Sequence, residues 1–133
     1  DKWDYLLSNG RLVLGFAGDD SHDEDELCAG WNMVRAESAS PDAVFKALKT
    51  GNSYASSGVT LTDIYRKNDL ITVESSDGEE IQAIGYGGKV FAAVQDSRMT
   101  VDISRWNTNY IRLAIYGPGS AMAWTQPFFK VMP

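Results

Sequence analysis

Apolar residues at Trp3, Leu6 and Leu7 in WDYLLSNG (3–10) recur at helical spacing, and Gly10 can end the helix in a left-handed conformation. The following run, RLVLGFAG (11–18), is almost continuously apolar and lies between Gly10 and a polar loop. Such a run predicts a strand buried on both faces, as in a parallel sheet. GWNMVRAE (30–37) predicts a second strand or an extended crossing. SPDAVFKALKTG (40–51) carries the clearest helical signal. Ser40 caps it, Pro41 opens its first turn, Asp42 favours the positive end of its dipole, and Gly51 ends it. Val44, Phe45 and Leu48 form its predicted buried stripe.

From residue 53 the period shortens to that of strands, predicted at 53–56, 60–66, 70–75, 80–86, 89–95, 99–103, 109–116 and 121–130. Met99, Val101 and Ile103 alternate with Thr100 and Asp102. Ile111, Leu113 and Ile115 alternate around Arg112 in the same way. Each strand is therefore expected to bury one face and wet the other, with Arg112 on the wet face. KND (67–69), SDGE (76–79), YGGK (86–89) and GPGS (117–120) supply tight turns. Strands so spaced, with no helical pattern between them, predict an antiparallel sandwich. The fold class expected is α+β, with a boundary near Gly58 between a β/α piece (1–58) and an antiparallel β-sandwich (59–133).

Composition changes this picture only through where the charge lies. The chain has 133 residues, 44% of them hydrophobic and 23% charged, values that argue against disorder. One cysteine, Cys28, rules out an intrachain disulfide and fits a reducing compartment, so a cytoplasmic location is expected. Positions 19–26 hold six acids and no Lys or Arg, while the other twelve acids balance twelve bases, so the net charge of −6 is local. No basic stripe favours nucleic acid, and no apolar run approaches the ~20 residues of a membrane helix. The opening DKWDYLLSNG lacks the form of a signal peptide.

The acidic stretch surrounds the chain's only histidine, in GDDSHDEDE (18–26). In extended backbone, residues i and i+2 face one way, roughly 6.5–7 Å apart. Asp20 and His22 can then converge on one ion, with Asp19, Ser21 and Asp23 facing away. A carboxylate with a neutral imidazole suits Zn²⁺, Mn²⁺ or Fe²⁺ rather than Ca²⁺, and the spaced oxygen ligands and glycine of an EF-hand loop are absent. A loop following a buried strand is also where α/β folds keep their chemistry. Two ligands do not complete a site, however, and a solvated acidic loop accounts for the same residues.

WDYLLSNGRLVLGFAGDDSHD followed by GWNMVRAESASPDAVFKALKTGNSYASSG resembles the C-terminal part of PHP-domain metal-dependent phosphoesterases, the polymerase- and histidinol-phosphatase-like hydrolases. AWTQPFF (123–129) is similar to the closing strand of members with a β-sandwich tail. The most specific pieces are Gly18–x–Asp20–x–His22 and ALKTGNSYASSG (47–58). The resemblance implies that 1–58 is the last piece of a distorted β/α barrel and that Asp20 and His22 are metal ligands, with Asp19 orienting a ligand or water behind them. It implies a divalent cofactor (Zn, Mn or Fe), a small phosphorylated substrate, and, as partner, an N-terminal part of the same barrel carrying the His–x–His pair and further ligands that these residues lack. The 133-residue chain alone is then expected to be inactive.

Arg35 could reach a substrate phosphate through its guanidinium fork, or pair with a surface acid. Ser56 and Ser57 have no histidine nearby in sequence and read as turn residues, and Cys28, without basic neighbours, reads as a buried or inert thiol. Trp3, Trp31, Trp106 and Trp124 suit a core or a domain junction, with Trp124 near an edge beside Pro127 and Trp106 expected to be exposed. Should they instead lie open, the alternative function is a stand-alone β-sandwich that binds carbohydrate or protein.

Overall fold

Helix α1 (Lys2–Ser8), β1 (Trp31–Val34), α2 (Pro41–Lys49), β2 (Ser53–Ser56) and β3 (Leu61–Lys67) come first in the computed structural model, which describes residues Asp1–Pro133. They are followed by β4 (Leu70–Ser75), β5 (Glu80–Gly85), β6 (Lys89–Val94), β7 (Arg98–Asp102), β8 (Tyr110–Tyr116), β9 (Met122–Trp124) and β10 (Phe128–Phe129). The strands form a seven-stranded sheet in the order β1-β2-β9-β8-β5-β6, with β10 also on β8, and a three-stranded sheet β3-β4-β7. All pairs are antiparallel. The result is an α+β, sandwich-like fold. The larger sheet crosses residue 58, because β2 pairs with β9 through Ala55↔Trp124 and Ser56↔Ala123.

The alternation seen in the sequence decides what lies between the sheets. Ile111, Leu113 and Ile115 of β8 meet Ile71 and Val73 of β4, Val101 of β7 and Ile81 of β5 in one buried cluster. The other face of β8 is also covered, contrary to the expectation that Arg112 is wet. Tyr110, Arg112 and Ala114 are all buried, beneath a second cluster in which Leu7 of α1 packs on Tyr110 and Phe129, flanked by Trp3. Period two announces two faces but leaves open whether a polar residue faces water or a partner.

Helix α1 starts where Asp1 accepts the N–H groups of Trp3 (2.6 Å) and Asp4 (3.3 Å). In α2, Ser40 Oγ accepts the Ala43 N–H at 3.2 Å, with Pro41 at the first position, as its sequence predicts. Its buried residue is Ala47, and Phe45 is exposed with the Lys49 ammonium 5.3 Å from its ring centroid. The predicted strand 121–130 breaks into β9 and β10 around Pro127.

Residues 11–18 depart furthest from expectation. They form no backbone ladder and are partly exposed rather than buried. Side chains hold them at alternate residues instead. Trp3 Nε1–H donates to Val13 C=O (2.8 Å). The Gln126 amide accepts the Gly15 N–H and donates to its C=O, both at 2.8 Å. Asn32 of β1 does the same for Ala17, at 2.9 and 2.8 Å. The spacing is that of extended backbone, with two side-chain amides imitating a neighbouring strand. Gly15 permits this because a Cβ there would lie 2.6 Å from the Trp3 ring.

Candidate functional site

The acidic loop begins where that segment ends. Asp20 has φ +50, so the extended geometry that would aim Asp20 and His22 the same way does not hold. Asp19, expected to support a metal ligand, closes the loop instead. Its two carboxylate oxygens accept the N–H groups of Cys28 (2.9 Å) and Gly30 (2.8 Å), and those bonds hold its carboxyl below the usual range. The His22 N–H donates to Glu26 Oε2 at 2.7 Å, across the turn Glu24–Glu26, and its ring Nδ1 lies 3.6 Å from the same oxygen. Asp20 and His22 are both exposed, and the Asp20 carboxylate takes part in no ion pair. No group of three His, Cys, Asp or Glu side chains converges to hold a metal ion.

The other sequence candidates are dispersed. Arg35 is exposed and pairs with no acid; its backbone N–H donates to Asn52 C=O at 2.9 Å. Cys28 is an exposed thiol at φ +64, not a buried one. Ser56 is buried and structural, its hydroxyl donating to Val59 C=O at 2.7 Å. Ser57 Oγ accepts the Met122 N–H at 3.0 Å. Trp106, expected in solvent, is half-buried against Phe91, with ring centroids 5.5 Å apart; Trp31 is the exposed tryptophan.

One cluster of charged residues went unforeseen. Asp4 and Arg112 form a bidentate pair, Nε to Oδ1 at 2.8 Å and Nη2 to Oδ2 at 2.7 Å, with both side chains buried. The Tyr110 hydroxyl is bonded to Asp4 Oδ1 and to Gly85 C=O, each at 2.8 Å. Burial pushes the Asp4 carboxyl up, but the bonds from Arg112 and Tyr110 outweigh it, and the net shift is downward. Tyr110 is pushed up to about 12, first by burial and then by Asp4. The Arg112 guanidinium also sits 5.0 Å from the Trp3 ring centroid and borders an open cleft of about 620 Å³. Trp124 and Ala55 line the same cleft, with Trp3, Leu6 and Phe16. Only an arginine centred in an apolar strand and an acid in a helix's first turn hinted at this cluster, and 108 residues separate them.

No helix is long and apolar enough to cross a membrane. Comparison of the chain with protein-family models, with curated proteins and with solved structures finds no match.

Proposed function

We propose that this chain is the C-terminal part of a metal-dependent phosphoesterase of the PHP kind, acting on a small phosphate ester as part of a longer protein. Its support lies in the join between residues 11–18 and the acidic loop. An apolar extended segment, outside any backbone ladder, runs directly into Gly18–x–Asp20–x–His22, where Asp20 and His22 stand exposed, the imidazole 3.6 Å from Glu26 Oε2. That is the position at which a strand of a larger β/α sheet presents its chemistry. Further ligands are supplied by upstream barrel residues, and Asp19 shapes the loop that carries the pair.

The test is hydrolysis of an aryl phosphate with added Mn²⁺ or Zn²⁺. The assay compares the 133-residue chain, the protein of its complete reading frame, and that protein carrying Asp20→Ala or His22→Ala. The expected result is turnover by the complete protein, none by the chain, and loss of about a hundredfold or more in each variant. A fully active His22→Ala protein removes the basis for this reading.

A binding module is the second reading. It is favoured by the cleft where Trp3, Trp124 and Arg112 meet, since aromatic faces beside a guanidinium suit a sugar ring or a peptide. Saturable binding of an oligosaccharide that Trp124→Ala abolishes, in a protein without phosphatase activity, would favour it.

A further inference from the structure

The clamps on residues 11–18 occupy one edge only. In extended backbone, the N–H and C=O of a residue point to the same side and alternate from one residue to the next. Val13, Gly15 and Ala17 turn toward Trp3, Gln126 and Asn32. Leu12, Leu14, Phe16 and Gly18 turn the other way, and none of their backbone groups is hydrogen-bonded within the chain. Phe16 and Leu12 are 54% and 46% exposed along this edge. An apolar segment with a row of free donors and acceptors is a template for another strand.

The charge along the segment chooses which strand. It has a base at one end, Arg11, and acids at the other, Asp19 and Asp20. Arg11 is exposed and takes part in no ion pair. Antiparallel pairing with an identical segment brings opposite charges together at both ends, whereas parallel pairing stacks base on base and acid on acid. We infer that two copies of this chain associate by antiparallel pairing of residues 12–18 about a two-fold axis at Gly15. In that register Leu14 exchanges hydrogen bonds with the partner's Phe16, and Leu12 with the partner's Gly18. Arg11 lies opposite the partner's Asp19 and beside the partner's Asp20. The arrangement is self-complementary, as a two-fold interface requires. The net charge of −6 on each chain opposes approach, but at physiological salt its reach is about 8 Å, and the contacts that remain are the complementary ones. The inference concerns the 133-residue chain by itself; in the longer protein of the phosphoesterase reading an upstream barrel strand would take this same edge, so the two are tested on different chains.

Sedimentation and amide exchange over a range of chain concentrations test it. A dimer is expected, with exchange at Leu12, Leu14, Phe16 and Gly18 slowing as concentration rises. Phe16→Pro removes a free-edge donor and leaves the Gly15 and Ala17 clamps in place; it should weaken the dimer by about tenfold or more. Arg11→Glu and Asp20→Lys should each weaken self-association, and an equimolar mixture of the two should associate more tightly than either alone. The mixing experiment decides the matter even where Phe16→Pro disturbs folding. A chain that stays monomeric at millimolar concentration overturns the inference. So does a dimer whose charge variants fail to complement, since its interface then lies elsewhere or another occupant takes the edge.

Discussion

Asp4 and Arg112 show what a single pair of residues can decide. Each is buried, and losing either breaks the bidentate pair under α1, leaving Arg112 only Asp1 at 3.7 Å or Asp4 only the Tyr110 hydroxyl. Asp4→Asn should therefore lower unfolding stability by about 3 kcal/mol in urea titrations. Asp4→Leu combined with Arg112→Met should recover most of that, because an apolar pair has no desolvation cost to offset. The pH dependence follows from the two shifts. Asp4 is depressed from 3.8, so its contribution is full above that value and disappears as pH falls through the folded one. Tyr110 is raised from 10.0 to about 12, so its contribution is full below 10.0 and is lost as pH rises through about 12. Denaturant midpoints should therefore fall at both extremes, and Tyr110→Phe should remove the Tyr110 part of the alkaline fall. The sequence could not show this pair, since its periodicity marks Arg112 as polar without saying what answers it.

Among elements, segment 11–18 is the informative one. Its apolar character was legible, and so was its extended form. Its partners were not, because they are the side chains of Trp3, Asn32 and Gln126 rather than a contiguous strand with a pattern of its own. Gln126→Leu should release Gly15 and cost about 1–2 kcal/mol. Hydrogen exchange would then show faster opening at Gly15, with β5 and β8 amides unchanged relative to global unfolding. The helix at 41–49 was readable from its cap and proline, yet its buried residue was not, because Ala47 carries little hydrophobic signal beside Phe45. In the acidic loop the residue types were visible, but the φ of Asp20 was not, and that one angle undoes the facing of Asp20 and His22.

In the whole molecule, β8 joins two layers that the sequence keeps far apart. Its one face completes the core between the sheets and its other face receives α1, so the first helix rests on one of the last strands. During synthesis from the N-terminus, the strands at residues 61–102 can pair with near neighbours as they emerge. Helix α1 has no comparable choice. Leu7 and Asp4 find their surface only once Tyr110, Arg112 and Phe129 have been made, so α1 settles after the strands that follow it. Until then α1, at seven residues too short to persist alone in water, trails from the ribosome as an exposed apolar segment. A cell making this protein holds that segment in an aggregation-prone state until Phe129 has been made, and a chaperone that binds short apolar stretches would meet it there.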